Sequence, residues 1–137
     1  MNHSHRRNQA DVLQELFDEE TTGCTPDKKV MWLLDLFGDH AARLVGVTQS
    51  LERPLDSTFF ESDFINNLLL VSSLIQRELR ATKDSRRLGF LWRIIASSLD
   101  SIVNNKSDKQ IDELANAFEE TRRKMSELLG ASKRGRS

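Results

Sequence analysis

Proline occurs at only two positions of the chain, Pro26 and Pro54, and neither Asn-Gly nor Asp-Gly occurs anywhere. Proline interrupts helices and those dipeptides mark tight hairpins, so a chain poor in both has long uninterrupted segments and few places to turn a strand back. Between the breaks, apolar residues return every three or four positions, the spacing that lines one face of an α-helix. The expected fold class is all-α, a compact helical bundle of four longer helices plus a short N-terminal helix. With 137 residues, such a bundle buries roughly two-thirds of the surface its unfolded chain exposes, enough for a single core.

Local signals place the helices. Asn8 can cap a short first helix near residues 9–20, where Val12, Leu13, Leu16 and Phe17 share a face. Thr25-Pro26-Asp27 opens the second: threonine caps, proline is preorganised for the first helical position, and aspartate suits the positive helix end. Its seam of Val30, Leu33, Phe37, His40, Leu44, Val47 and Leu51 follows a heptad-like step until Arg53-Pro54 stops it. Thr58-Phe59-Phe60-Glu61 has the form of a capping box, predicting a third helix to about Thr82 with a wide apolar arc from Phe60 and Phe64 to Leu79.

A fourth helix, capped by Asp84 or Ser85 and ending near Asn104, turns Leu88, Leu91, Trp92, Ile95, Leu99, Ile102 and Val103 inward. Its short linker from the third favours an antiparallel hairpin. Ser107-Asp108-Lys109-Gln110 caps a fifth, in which Ile111, Leu114, Phe118, Thr121, Met125 and Leu128 repeat until Gly130. The organisation expected is a flexible segment over 1–8, one helical domain over 9–129, and a flexible basic tail over 130–137.

The chain has 20 Lys+Arg and 21 Asp+Glu, but they are unevenly placed. Residues 1–63 hold 12 acids against 6 Lys+Arg, and residues 64–137 hold 9 against 14, so the halves carry −6 and +5. The densest basic stretch spans the corner between the third and fourth helices, with Arg77, Arg80, Lys83, Arg86 and Arg87, extended by Arg93. Arg77 and Arg80 have the spacing of one helical face, and Arg86 and Arg87 sit at a helix N-terminus, where the macrodipole opposes their charge. An acidic partner or a phosphate backbone would relieve that misplacement. Lys133, Arg134 and Arg136 form a second basic element. The cluster Arg122-Arg123-Lys124 reads as a solvated face balanced by Glu119, Glu120 and Glu127.

Interface candidates come from the apolar pattern. A seam on the second or fifth helix would join two copies through Phe37, His40, Leu114, Phe118 and Met125. Phe59 and Phe60 stand about 100° apart on a helix, and Phe90 lies close to Trp92, so one ring of each set is left for an intermolecular contact.

Catalytic and metal chemistry find little support. Asp39-His40-Ala41-Ala42-Arg43-Leu44 resembles histidine phosphotransfer domains in one respect, a basic residue three positions after the histidine. Leu44 stands where those domains use glycine to admit the partner's aspartate, so the match is partial. A histidine in a seam instead makes assembly sensitive to pH below about 6.5. Cys24 is the single cysteine, with no histidine near it to form a dyad. The N-terminal Met1-Asn2-His3 can wrap a cupric or nickel ion adventitiously, but no structural metal set, glycine-rich phosphate loop or Glu-x-x-His pair is present in the sequence.

No apolar stretch approaches the roughly 20 residues of a membrane span, and one cysteine cannot form an internal disulfide, so a reducing, cytoplasmic setting is the expectation. The function expected is non-enzymatic: a helical regulatory or adaptor protein binding a protein partner, foremost a second copy of itself, with no cofactor and no small-molecule substrate. The alternative is a nucleic-acid-binding dimer that uses the basic corner and tail on phosphates.

Overall fold

The structure, a computed structural model, describes residues 9–50, 63–105 and 109–134. Five helices occupy them: α1 (Gln9–Glu20), α2 (Pro26–Ser50), α3 (Asp63–Leu79), α4 (Ser85–Asn105) and α5 (Lys109–Arg134), with no strand among the described residues. The all-α bundle of four longer helices and a short first one is therefore observed.

The punctuation works as its chemistry dictates. After α1 the Thr21 hydroxyl donates to the Phe17 carbonyl at 2.6 Å, and Gly23 takes a left-handed backbone, φ 79°, that a side chain would resist. Pro26 is the first residue of α2, and Thr25 Oγ1 accepts the Lys28 amide at 3.3 Å, closing the N-cap. The expected cap at Thr58 to Glu61 lies outside the described residues. Downstream, α3 stops at Leu79, earlier than the expected Thr82. Both the amide and the hydroxyl of Thr82 turn back onto the Leu79 carbonyl, at 3.1 and 2.6 Å, and a tight turn follows.

Packing runs α2 on α3, α3 on α4, α4 on α5, and α5 back on α2, a closed ring of neighbours. Along α2 and α5, Met31 meets Ser126, Asp35 meets Arg122, and Gly38 meets Phe118, so one helix descends as the other climbs. The Ser72–Trp92 contact between α3 and α4, and the α4–α5 hairpin, fix the remaining directions as antiparallel. The ring is thus an up-down-up-down four-helix bundle. One end of it gathers the N-terminus of α2, the α3–α4 turn and the C-terminal part of α5, and α1 docks at this same end through Phe17, 5.7 Å from the Trp32 ring.

The core is centred on three aromatic rings. Phe37 lies 5.0 Å from Trp92 and 4.8 Å from Phe118, and all three are closed to solvent. They come from α2, α4 and α5, so one cluster ties three of the four walls, and Ser72 on the fourth holds the Trp92 indole.

Two predicted seams shift by one position for a common reason. On α2 the buried residues are Val30, Leu33, Leu34, Phe37, Ala41 and Leu44, so Ala41 replaces His40 and Val47 is only half-buried. On α5 they are Ile111, Leu114, Phe118, Thr121, Met125 and Leu129, with Leu128 at the edge. A strict heptad drifts by about 20° per repeat relative to a straight helix, so the buried stripe steps onto the next residue. On α1 the expected face splits. Leu13 and Phe17 pack inward, whereas Val12 and Leu16 are 46% and 43% exposed.

Gly130 does not end α5, which runs on to Arg134. With no proline following, the cost of one helical glycine, about 1 kcal/mol, does not halt propagation of a long packed helix. The expected domain–tail boundary at residue 130 is therefore not a break in the backbone. Lys133 and Arg134 belong to α5, and Arg136 and the expected flexible segment over 1–8 lie outside the described residues.

Candidate functional site

On α4, the residues that enter the core are Leu88, Trp92, Ile95, Leu99 and Ile102. Phe90, two positions from Leu88 and from Trp92, is turned about 200° away by helical geometry and projects outward with 65% of its surface exposed. Ile94, one turn further along, is 48% exposed. Isolated apolar side chains are ordinary on protein surfaces, but a phenylalanine and an isoleucine four residues apart form a patch.

Grooves flank Phe90 on both sides. The one between α3 and α4, about 680 Å³, is lined by Leu79, Arg80, Arg86, Gly89, Phe90 and Arg93. The one between α4 and α5, about 700 Å³, is lined by Arg86, Arg87, Leu91, Lys124, Glu127 and Leu128 together with Phe90. Among the described residues, an apolar ridge thus stands within five cationic side chains, Arg80, Arg86, Arg87, Arg93 and Lys124, against one carboxylate, Glu127. No ion pair engages Arg80, Arg86, Arg87 or Arg93 among the described residues. Arg86 and Arg87 lie in the first turn of α4, which carries no acidic residue, so the macrodipole opposes both.

The sequence-predicted basic corner divides. Arg77 does not join Arg80: its guanidinium lies 5.9 Å over the Phe17 ring, donates to Gln14 Oε1 at 2.8 Å and pairs with Glu78 at 3.1 Å. It therefore fastens α1 to α3. Arg80, the first residue beyond α3, lines the groove between α3 and α4 instead. Lys83 is exposed in the turn and lines neither groove. Lys133 and Arg134 continue α5 at the end of the bundle that holds the corner, so the topology brings these two positions to the same end as the corner.

The interface candidates fare differently. Phe37, Leu114, Phe118 and Met125 are at most 1% exposed within a single chain, so they are core and offer nothing to a second copy. A four-helix ring consumes the seams that in isolated helices look like coiled-coil faces. Phe59 and Phe60 lie outside the described residues, and among the described members of the set Phe90 is the open one. His40 sits half-buried at the rim of α2, outside the buried stripe. Partial burial, and after it the Arg43 guanidinium, push its imidazole below the ordinary value of 6.5, against an opposite pull from Asp39.

Two members of the patch escaped sequence reasoning. Lys124 looked like part of a self-neutralised face, and it does pair with Glu120 at 3.5 Å; the antiparallel α4–α5 pairing is what also sets it beside Phe90. Arg122, from the same cluster, crosses to Asp35 on α2 instead of pairing along α5. Ile94 could have been found from sequence, since it falls off the stripe of Leu88, Trp92, Ile95 and Leu99 and shares a face with Phe90.

Among the described residues no three His, Cys, Asp or Glu side chains come together as a metal site, and no helix is long and apolar enough to cross a membrane. Cys24 is a free thiol in the loop before α2. No protein-family model matches the chain, and neither the curated proteins nor the solved structures compared with it give a match.

Proposed function

We propose that the chain acts by binding, as a cytoplasmic, non-enzymatic adaptor or regulatory module whose working surface is the Phe90 ridge, and that its partner is a protein segment both acidic and apolar. The observation that carries this reading is the 65% exposure of Phe90 between grooves lined with arginine. Apolar anchors ringed by charge are the anatomy of a protein-binding hot spot: the ring supplies desolvation energy, and the guanidinium groups supply steering and register. Ile94 favours a helical partner, because two apolar side chains one turn apart offer a strip rather than a point.

A second reading has one observation in its favour. An exposed aromatic among cations can also stack a base while arginines take phosphates, as single-stranded nucleic acid requires. Ile94 has no role there, and Glu127 in one groove opposes it.

Fluorescence anisotropy with the full chain separates the two. One probe is a labelled amphipathic peptide with leucines four residues apart among glutamates; the other is a labelled single-stranded oligonucleotide. Phe90→Ser and Ile94→Ser should each weaken peptide binding by about tenfold or more. Tight oligonucleotide binding that ignores Ile94→Ser would transfer the site to the second reading, and no binding of either probe would remove both.

A further inference from the structure

The four large apolar side chains exposed among the described residues are Val12, Leu16, Phe90 and Ile94. They form two pairs, each spaced by one helical turn, one on α1 and one on α4. Their charged surroundings are opposite. Around Val12 and Leu16 stand acids, with Glu19 and Glu20 one turn beyond, and α1 holds no lysine or arginine. Around Phe90 stand Arg86, Arg87 and Arg93, the last adjoining Ile94 in sequence.

The order along each helix is also complementary. Reading α1 forward gives Val12, Leu16, then Glu19 and Glu20; reading α4 backward gives Ile94, Phe90, then Arg87 and Arg86. Laid antiparallel, Val12 falls against Ile94 and Leu16 against Phe90, and the two glutamates fall against the two arginines. Both charge clusters sit at the helix end whose dipole disfavours them. Glu19 and Glu20 occupy the last turn of α1, which carries no basic residue, and Arg86 and Arg87 occupy the first turn of α4, which carries no acidic one. Neither Glu19 nor Glu20 is ion-paired among the described residues. An antiparallel contact relieves both misplacements at once. Within one chain α1 is fastened to α2 and α3 through Phe17 and the Gln14–Arg77 bond, so its outer face is presented away from that contact.

We infer that the occupant of the Phe90 ridge is a second copy of this chain, which lays the outer face of its α1 antiparallel along α4. This rests on the ridge being a protein-binding surface, as proposed above, and names its partner. When each copy gives and receives a helix, the α1–α4 contact is isologous and closes a two-fold dimer; given one way only, it is heterologous and propagates head to tail.

The test is sedimentation equilibrium of the full chain across a range of concentration, at low and high salt, with circular dichroism on every variant. Self-association is expected, weakening as salt screens the charges. Glu19→Arg with Glu20→Arg, and separately Arg86→Glu with Arg87→Glu, should each raise the dissociation constant by about tenfold or more, since like charges then face each other. Carrying all four changes in one chain should restore association, because the charges are merely exchanged. A wild type that is monomeric throughout overturns the inference, as does association that ignores either reversal, or a folded four-residue exchange that fails to recover. A monomer that still binds the acidic amphipathic peptide through Phe90 leaves the wider binding function standing with a different partner. One that captures the oligonucleotide instead overturns both.

Discussion

Trp92 on α4 donates its indole N–H to the Ser72 hydroxyl on α3 at 3.1 Å, in a region where the indole is fully excluded from solvent and Ser72 is 5% exposed. Among the described residues the serine is the one polar side chain in the buried stripe of α3, and the tryptophan requires it. A buried indole N–H without an acceptor loses its hydration and gains nothing in return. With Phe37 and Phe118 packed T-shaped against it in the closed core, Trp92 has no room to rotate to another partner.

Ser72→Ala should therefore destabilise the fold by about 1–3 kcal/mol, although it removes a single small polar atom. Urea unfolding measures this. In Trp92→Phe the donor is gone, so adding Ser72→Ala should cost much less than it does alone. Equal costs in the two backgrounds would mean that the hydrogen bond contributes nothing.

Gly38 on α2 faces the Phe118 and Arg122 side chains of α5. A methyl group there would stand 3.1 Å from Arg122 Nη1 and 3.2 Å from Phe118 Cε2, whereas one at Gly46 on the same helix meets nothing within 4 Å. Intrinsic propensity favours alanine at both, by about 1 kcal/mol. Gly46→Ala should consequently raise stability by about 0.4–1 kcal/mol, and Gly38→Ala should gain nothing or lose up to about 1 kcal/mol, because the Phe118 ring has no room to withdraw. Equal stabilisation by both substitutions, read from denaturant midpoints, would show that the ring yields freely.

His40 gives the fold a defined pH response. Its folded pKa lies below the unfolded value of 6.5, so the unfolded chain binds the proton more readily. The stability tied to the neutral imidazole is present above the unfolded pKa and is lost as pH falls from there through the folded value. His40→Gln should flatten the pH dependence of the denaturation midpoint in that window and leave it unchanged at higher pH. A parent protein whose midpoint holds steady there, or a variant with the same slope, would remove His40 as the cause.

How much of this was legible in the sequence depends on what each signal measures. Thr25-Pro26 fixed the start of α2 because capping is a local event that needs no tertiary partner. The inward stripe of α4, from Leu88 through Trp92 to Ile102, was readable because its apolar residues far outnumber the alternatives on other faces. His40 and Leu128 were misplaced because a heptad template and a straight helix diverge slowly, and only packing decides which neighbour is chosen. Arg77 and Arg80 were wrongly grouped because Arg77 is drawn into the contact between α1 and α3, which spacing along one helix does not reveal. Lys124 joined the ridge through topology, which no local spacing encodes.

Phe118 and Phe90 carry the same side chain into opposite circumstances, 1% and 65% exposed, and this difference decides what a mutation means. From sequence both are interface candidates, and the loss of association on charging Phe118 would be read as a broken dimer seam. In the bundle Phe118 touches Phe37 and Trp92, so truncation leaves a cavity at the junction of three helices. Phe118→Ala should cost about 3–5 kcal/mol, and Phe118→Glu should unfold the chain outright. Phe90→Ala should shift stability by less than about 0.5 kcal/mol while removing the anchor of the binding ridge. Thermal unfolding and sedimentation on the same samples separate the two effects. A Phe118→Ala protein that keeps its melting temperature but loses self-association would return the interface to α5 and take it from α4.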